Sequence, residues 1–114
     1  RMAVYIVNLV IDQGADFTQT FNLEDDNSAS ALDLTGYTGA AQLRKHSSSN
    51  KKFDFNVAFP DRENGIVRID MTDTITSSIK PGRYVYDVLL TASGGTRTRI
   101  VEGSALVREG ATRI

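Results

Sequence analysis

The chain has 114 residues, with 13 Lys and Arg against 14 Asp and Glu for a formal charge of −1. That length fits one domain over residues 1–114, and the charge balance argues against a nucleic-acid-binding domain, which usually carries a basic excess. There is no cysteine, which excludes disulfides and cysteine-ligated zinc, and no apolar run approaches the ~20 residues of a membrane helix.

Arg1 reads as an added residue ahead of a natural start at Met2. No signal-peptide hydrophobic region follows, so synthesis in a cytoplasm is expected. Residues 3–11 (AVYIVNLVI) are short, β-branched and apolar on both sides, which predicts a strand covered on both faces. Asp12-Gln13-Gly14 turns the chain. Phe17, Phe21 and Leu23 then alternate with Thr18, Thr20 and Asn22, the pattern of a strand with one wet face. Residues 24–30 form an acidic, serine-containing loop, followed by the corner Asp33-Leu34-Thr35-Gly36-Tyr37.

Residues 38–45 predict a strand with Ala41 and Leu43 inward and Ala40, Gln42 and Arg44 outward. In the next, Phe53, Phe55, Val57 and Phe59 alternate with polar neighbours, and Pro60 is expected to end it. Asn64-Gly65 signals a hairpin into Val67, Ile69 and Met71. Ile75 and Ile79 are four apart, which predicts one helical turn closed by Pro81-Gly82. Tyr84, Tyr86, Val88 and Leu90 give the inner face of another strand. Ser93-Gly94-Gly95 turns into a last strand over 96–107, with Gly103 the expected bulge or bend. The sum is an all-β, antiparallel sandwich of about seven strands with one short helical crossover.

Chemistry-bearing clusters are sparse. His46 is the only histidine and has no nucleophile-and-acid motif beside it, so a loop position is expected and an enzyme is not. Asp25, Asp26 and Asn27, or Asp61, Glu63 and Asn64, could ligate a hard cation, but neither matches a calcium loop and both read as solvated turns. No cofactor is expected. Gly94-Gly95 lacks the lysine and helix of a phosphate cradle. Arg97, Arg99, Arg108 and Arg113 gather positive charge near the end of the chain. They read either as the wet face of an edge strand or as a docking surface for an acidic protein. Tyr84 and Tyr86, after the Pro81-Gly82 corner, occupy the place of the tyrosine that ties a corner in immunoglobulin-like sandwiches.

Taken in order, Ile11-Asp12-Gln13-Gly14-Ala15-Asp16-Phe17, the Asp33-Leu34-Thr35-Gly36-Tyr37-Thr38 corner leading to Gln42-Leu43-Arg44-Lys45, Asn64-Gly65-Ile66-Val67, Tyr84-Val85-Tyr86-Asp87 and Val101-Glu102-Gly103 resemble a known pattern. It is similar to the N-terminal domain of the baseplate upper proteins of tailed bacteriophages, over nearly the whole chain. The resemblance implies an immunoglobulin-like sandwich serving as a non-enzymatic virion structural protein. Such a protein would be a tail or baseplate adaptor that assembles with other phage proteins and as a homo-oligomer, without nucleic acid or membrane. In longer relatives a coiled coil follows; no heptads are present here. The two-sided first strand then has two readings: burial between the sheets, or packing of the side carrying Tyr5 and Leu9 on a neighbouring subunit. Tyr5, Leu9, Arg97 and Arg99 are the candidate interface residues. The alternative function, from a different class, is a carbohydrate- or host-surface-binding module.

Overall fold

The computed structural model describes residues 4–25, 30–112 and 114. Eight strands and one helical turn follow in order: β1 (Tyr5–Ile6), β2 (Leu9–Asp12), β3 (Phe17–Asn22), β4 (Thr38–Arg44), β5 (Phe53–Asp61), β6 (Ile66–Met71), α1 (Asp73–Ser77), β7 (Gly82–Thr91) and β8 (Arg97–Arg108). The fold is all-β with a single short helical crossover.

The strands form one curled sheet in the order β1-β8-β7-β4-β5-β6-β3, with β2 also on β8. The hinge of the curl is β5. Its first residues pair with β4 (Leu43 opposite Phe53, Ala41 opposite Phe55), and its later ones with β6 (Asn56 opposite Asp70, Val57 opposite Ile69). One strand thus belongs to a larger arm (β1, β2, β8, β7, β4) and a smaller arm (β6, β3). The period-2 faces of both arms turn inward onto a common core that includes Ile11, Leu34, Leu43, Val67, Ile69, Val88, Leu90, Ile100 and Val107. Each large side chain fully buried there contributes roughly 1.5–3 kcal/mol. Phe17 of β3, Phe55 of β5 and Tyr86 of β7 stack in sequence across the gap, with centroids 5.9 and 6.0 Å apart. These tilted and edge-on pairings suit ring quadrupoles.

Several expectations need correcting in detail. The first strand is two strands, and both run parallel to β8, with Tyr5 opposite Val101 and Leu9 opposite Ala105. The sheet is therefore not purely antiparallel, and among the described residues the expected seven or so strands come to eight because the first divides in two. The break comes at Val7-Asn8. The Val7 carbonyl turns inward to accept from the Tyr86 hydroxyl (2.6 Å), while the Asn8 side chain fills the ladder by accepting from the Ser104 amide (3.1 Å).

Gly103 is not a bulge. It pairs in register with Tyr86, and a Cβ placed there would lie 2.2 Å from the Val7 carbonyl oxygen, so close backbone approach is what requires glycine. The bulge is at Ile100: Val88 faces Val101 and Leu89 faces Arg99, leaving Ile100 extra. Ile100 and Val101 are consecutive yet both buried, and the inward phase of β8 switches between them. Pro60 does not end its strand. It lies within a register irregularity between Ala58 and Asp61, where a missing N–H costs no ladder bond.

Local chemistry explains the corners. Asp33 accepts from the Thr35 amide (3.0 Å) and hydroxyl (2.6 Å), and Tyr37 N–H donates to the Leu34 carbonyl (3.1 Å) around Gly36 at φ 84°. This is a turn of the kind that needs glycine at its third position. The Arg62 guanidinium donates to the Leu34 and Tyr37 carbonyls and stacks 4.1 Å over Phe59, locking the corner against β5. The turn α1 is capped by Thr72 and stitched to the β2–β3 turn. Buried Thr76 donates to the Ala15 carbonyl (2.8 Å) and accepts from Gly14 N–H (3.1 Å), and Asp73 N–H donates to Asp16 (2.8 Å). The Tyr84 hydroxyl donates to the Lys80 carbonyl four residues back (2.6 Å), the corner tie expected of this tyrosine.

Candidate functional site

Strand alternation leaves one broad surface open: the outward face of the larger arm. A shallow trough of about 780 Å³ runs over it, lined on its floor by Ile6, Val85 and Leu89 and along its sides by Arg44, His46, Asp87, Arg99 and Glu102. Its walls are β1 on one side and the loop after β4 on the other. That loop is held by Arg44, which donates to the Ser49 carbonyl (2.6 Å) and to the Gln42 side chain (2.8 Å).

The charges in the trough are engaged with each other. Arg99 pairs with Asp87 (3.0 Å) and lies 3.9 Å from Glu102. Outside the lining, Asp54 accepts from Gln42 (3.0 Å), and Lys52 pairs with the same carboxylate (2.5 Å). The Lys52 hydrogen bond leads the effects that hold the Asp54 carboxyl below its ordinary value, assisted by Gln42. Tyr86 reaches the trough from beneath. Burial raises its phenol pKa well above normal, so it stays a neutral donor to Val7.

His46 is exposed at the rim, and its backbone N–H donates to Ser49 Oγ (3.0 Å). The acids that line the trough with it, Asp87 and Glu102, are turned to Arg99. The arrangement supplies a patterned polar surface over an apolar floor, suited to binding by complementarity.

The four expected interface residues separate. Arg99 lines the trough, and Arg97 lies exposed at the start of the same strand, opposite Thr91. Tyr5 and Leu9 face the other way. Leu9 is 3% exposed in the core, and Tyr5 is half-buried against it, its hydroxyl accepting from Glu24 N–H (3.1 Å). The side of the first two strands left free carries Val4, Ile6 and Val10, at 54%, 75% and 50% exposure. Both sides of this segment are apolar, so composition could not say which turned inward. The cue lay in Asn8, the one polar residue on the Val4–Val10 side.

The acidic loop closes at its base, where Asp25 N–H donates to the Ser30 carbonyl (2.8 Å); Asp26 and Asn27 lie outside the described residues, as does Arg113. At the other acidic turn Asn64 donates to Asp61 (2.7 Å). Among the described residues no group of three or more His, Cys, Asp or Glu gathers as a metal site. Among the described residues no helix is long and apolar enough to cross a membrane.

No protein-family model matches the chain, and no curated protein matches it. Among solved structures, the SrpA adhesin of Streptococcus sanguinis, as an arginine-to-glutamate mutant, superimposes with a TM-score of 0.51 at 13% identity over 96% of this chain and 57% of that one. An internalin-like protein of Listeria monocytogenes gives 0.45 at 11% identity, over 94% of this chain and 28% of that one. A family 123 glycoside hydrolase from Clostridium perfringens gives 0.43 at 14%, over 96% and 24%. The chain thus spans little more than half of the adhesin's length and about a quarter of the other two. At such identity the likeness to the adhesin is one of fold alone.

Proposed function

We propose that this chain is a non-enzymatic assembly module of a phage virion, an adaptor in a tail or baseplate that docks neighbouring proteins on the outward face of its larger arm. The carrying observation is the apolar run Val4, Ile6 and Val10 at the sheet edge, continued inward by Val85 at 39% exposure. Large apolar side chains gathered on one face, rimmed by the Arg99–Asp87 pair and Gln42, have the composition of a protein–protein contact. The phage setting rests on the sequence resemblance alone. Mass spectrometry of purified particles from the host that encodes the chain tests it: the chain should be present in several copies per particle. Ile6→Lys with Val10→Lys should fold and fail to be incorporated. Absence of the chain from particles defeats the phage setting, and normal incorporation of the double variant defeats the docking face.

A second reading, a carbohydrate- or host-surface-binding module, is favoured by the trough itself, where Gln42, Arg44, Asp87 and Arg99 offer donors and acceptors around a shallow floor. Titration against a glycan panel, with Arg99→Ala as control, separates it from the first.

A further inference from the structure

The curled sheet has two ends, and they are built differently. At one end β1 and β2 are two and four residues long, broken at Val7-Asn8, and Asp12 at their close is ion-paired with Arg108 (2.8 Å). Short length, a break and charge are the devices by which proteins guard an edge. At the other end β3 is six unbroken residues, FTQTFN, with β6 as its one ladder neighbour among the described residues and no charge or proline in it. Tyr5 crosses the seam between the two ends only past the finish of β3, at Glu24. On β3 itself, the Gln19 side chain donates to the Thr20 carbonyl (3.2 Å), a short-range substitute for a partner strand.

We propose that the β3 edge is a self-association site, where a second copy of this chain adds its own β3 antiparallel about a two-fold axis at Gln19. The reasoning is one of register. Directly opposed residues in an antiparallel pair share a face, so only registers that keep outward Thr18, Thr20 and Asn22 opposite outward residues are allowed. An axis at Thr20 would set Asp16 against the partner's Glu24, two carboxylates face to face. An axis at Thr18 would leave Phe21 and Asn22 opposite the turn at Gly14 and Ala15. An axis at Gln19 places Phe17 opposite the partner's Phe21 on the inner face, Thr18 opposite the partner's Thr20 outside, and Asp16 opposite the partner's Asn22, an acid against an amide donor. The contact is isologous and closes at two copies. It joins two smaller arms into one continuous sheet and leaves both troughs free.

This inference deepens the assembly reading and rests on it, but the two fail separately, since particle content and the Ile6/Val10 variant report on the other edge. Sedimentation equilibrium across a concentration series is the test. The unaltered chain should approach twice its 12.5 kDa mass. Thr18→Lys with Thr20→Lys, which opposes ammonium groups twice across the axis, should sediment as a single chain with an unchanged circular dichroism spectrum. Thr18→Lys with Thr20→Glu, which opposes ammonium to carboxylate in this register only, should restore the doubled mass. A single-chain mass for the unaltered protein at every concentration overturns the proposal. So does a doubled mass that survives the two lysines, or one lost only on changing Ile6 and Val10.

Discussion

The Tyr86 hydroxyl donates to the Val7 carbonyl at 2.6 Å, joining residues 79 apart in sequence. Tyr86 is 4% exposed, and the bond ties the middle strand of the larger arm to the break in its edge.

Tyr86→Phe keeps the ring and its edge contact with Phe55 and removes only the donor. A buried carbonyl left without its partner costs about 1–3 kcal/mol, which urea unfolding should report as a lower midpoint with unchanged slope. The same variant has a signature at high pH. Burial raises the folded pKa of Tyr86 above its ordinary 10.0, so the neutral phenol's contribution is whole below 10.0 and is lost as pH rises toward the folded value. The alkaline fall in stability should be shallower in Tyr86→Phe than in the parent.

Gly103→Ala places a methyl 2.2 Å from the Val7 oxygen, a backbone atom that cannot swing aside as a side chain could. The β1 strand must move away. We expect a loss of about 1–3 kcal/mol, the usual range for overpacking. Amide exchange should accelerate selectively at Tyr5, Val7 and Glu102. Uniform acceleration across the sheet would contradict the local account.

Arg62→Lys keeps the charge but loses the guanidinium plane that stacks on Phe59 and so aims one nitrogen, Nη1, at both carbonyls. The variant should lose stability by about 1.5–3 kcal/mol, as for hydrogen bonds to a charged group, with little rescue by low salt because geometry rather than net charge is missing. Thermal unfolding at two ionic strengths checks both parts.

Asp33, through the Thr35 hydroxyl and then its amide, and Asp54, chiefly through Lys52, titrate below the ordinary 3.8. The unfolded chain therefore binds protons first. Their stabilisation is complete above 3.8 and is lost as pH falls through the lower folded values. Urea midpoints measured from pH 5 to 2 should decline, and Asp33→Asn with Asp54→Asn should flatten that decline. An equally steep decline in the double variant would assign the acid limb to other carboxylates.

Much of the fold was legible because alternation is a local property. The inward sets Ala41 and Leu43, and Tyr84 through Leu90, follow from period two alone, and the Ile75–Ile79 spacing marked the helical turn. What escaped depends on partners distant in sequence. The parallel run of β1 and β2 on β8 joins the start of the chain to its end, and the inward choice of Leu9 over Val10 is fixed by that register. The Ile100 bulge hid in a run of apolar residues, where two consecutive buried positions look like simple hydrophobicity. Arg62 sits in sequence among turn residues, between Asp61 and Glu63; its work at the corner joins Leu34, Tyr37 and Phe59, which only the tertiary fold brings near. The trough was equally hidden, since Ile6, Arg44, Asp87 and Arg99 come from four strands.

The parallel seam between β1, β2 and β8 has a mechanical meaning. Tyr5 lies beside Val101 and Asp12 beside Arg108, so the chain enters at one pole of this edge and leaves β8 at the other. Tension applied through the two termini pulls the paired strands lengthwise past one another, loading the rungs of the ladder together in shear instead of unzipping them singly. Rupture under such a load is governed by the barrier to unfolding. A tile strung between two larger bodies would hold best when stretched along this line.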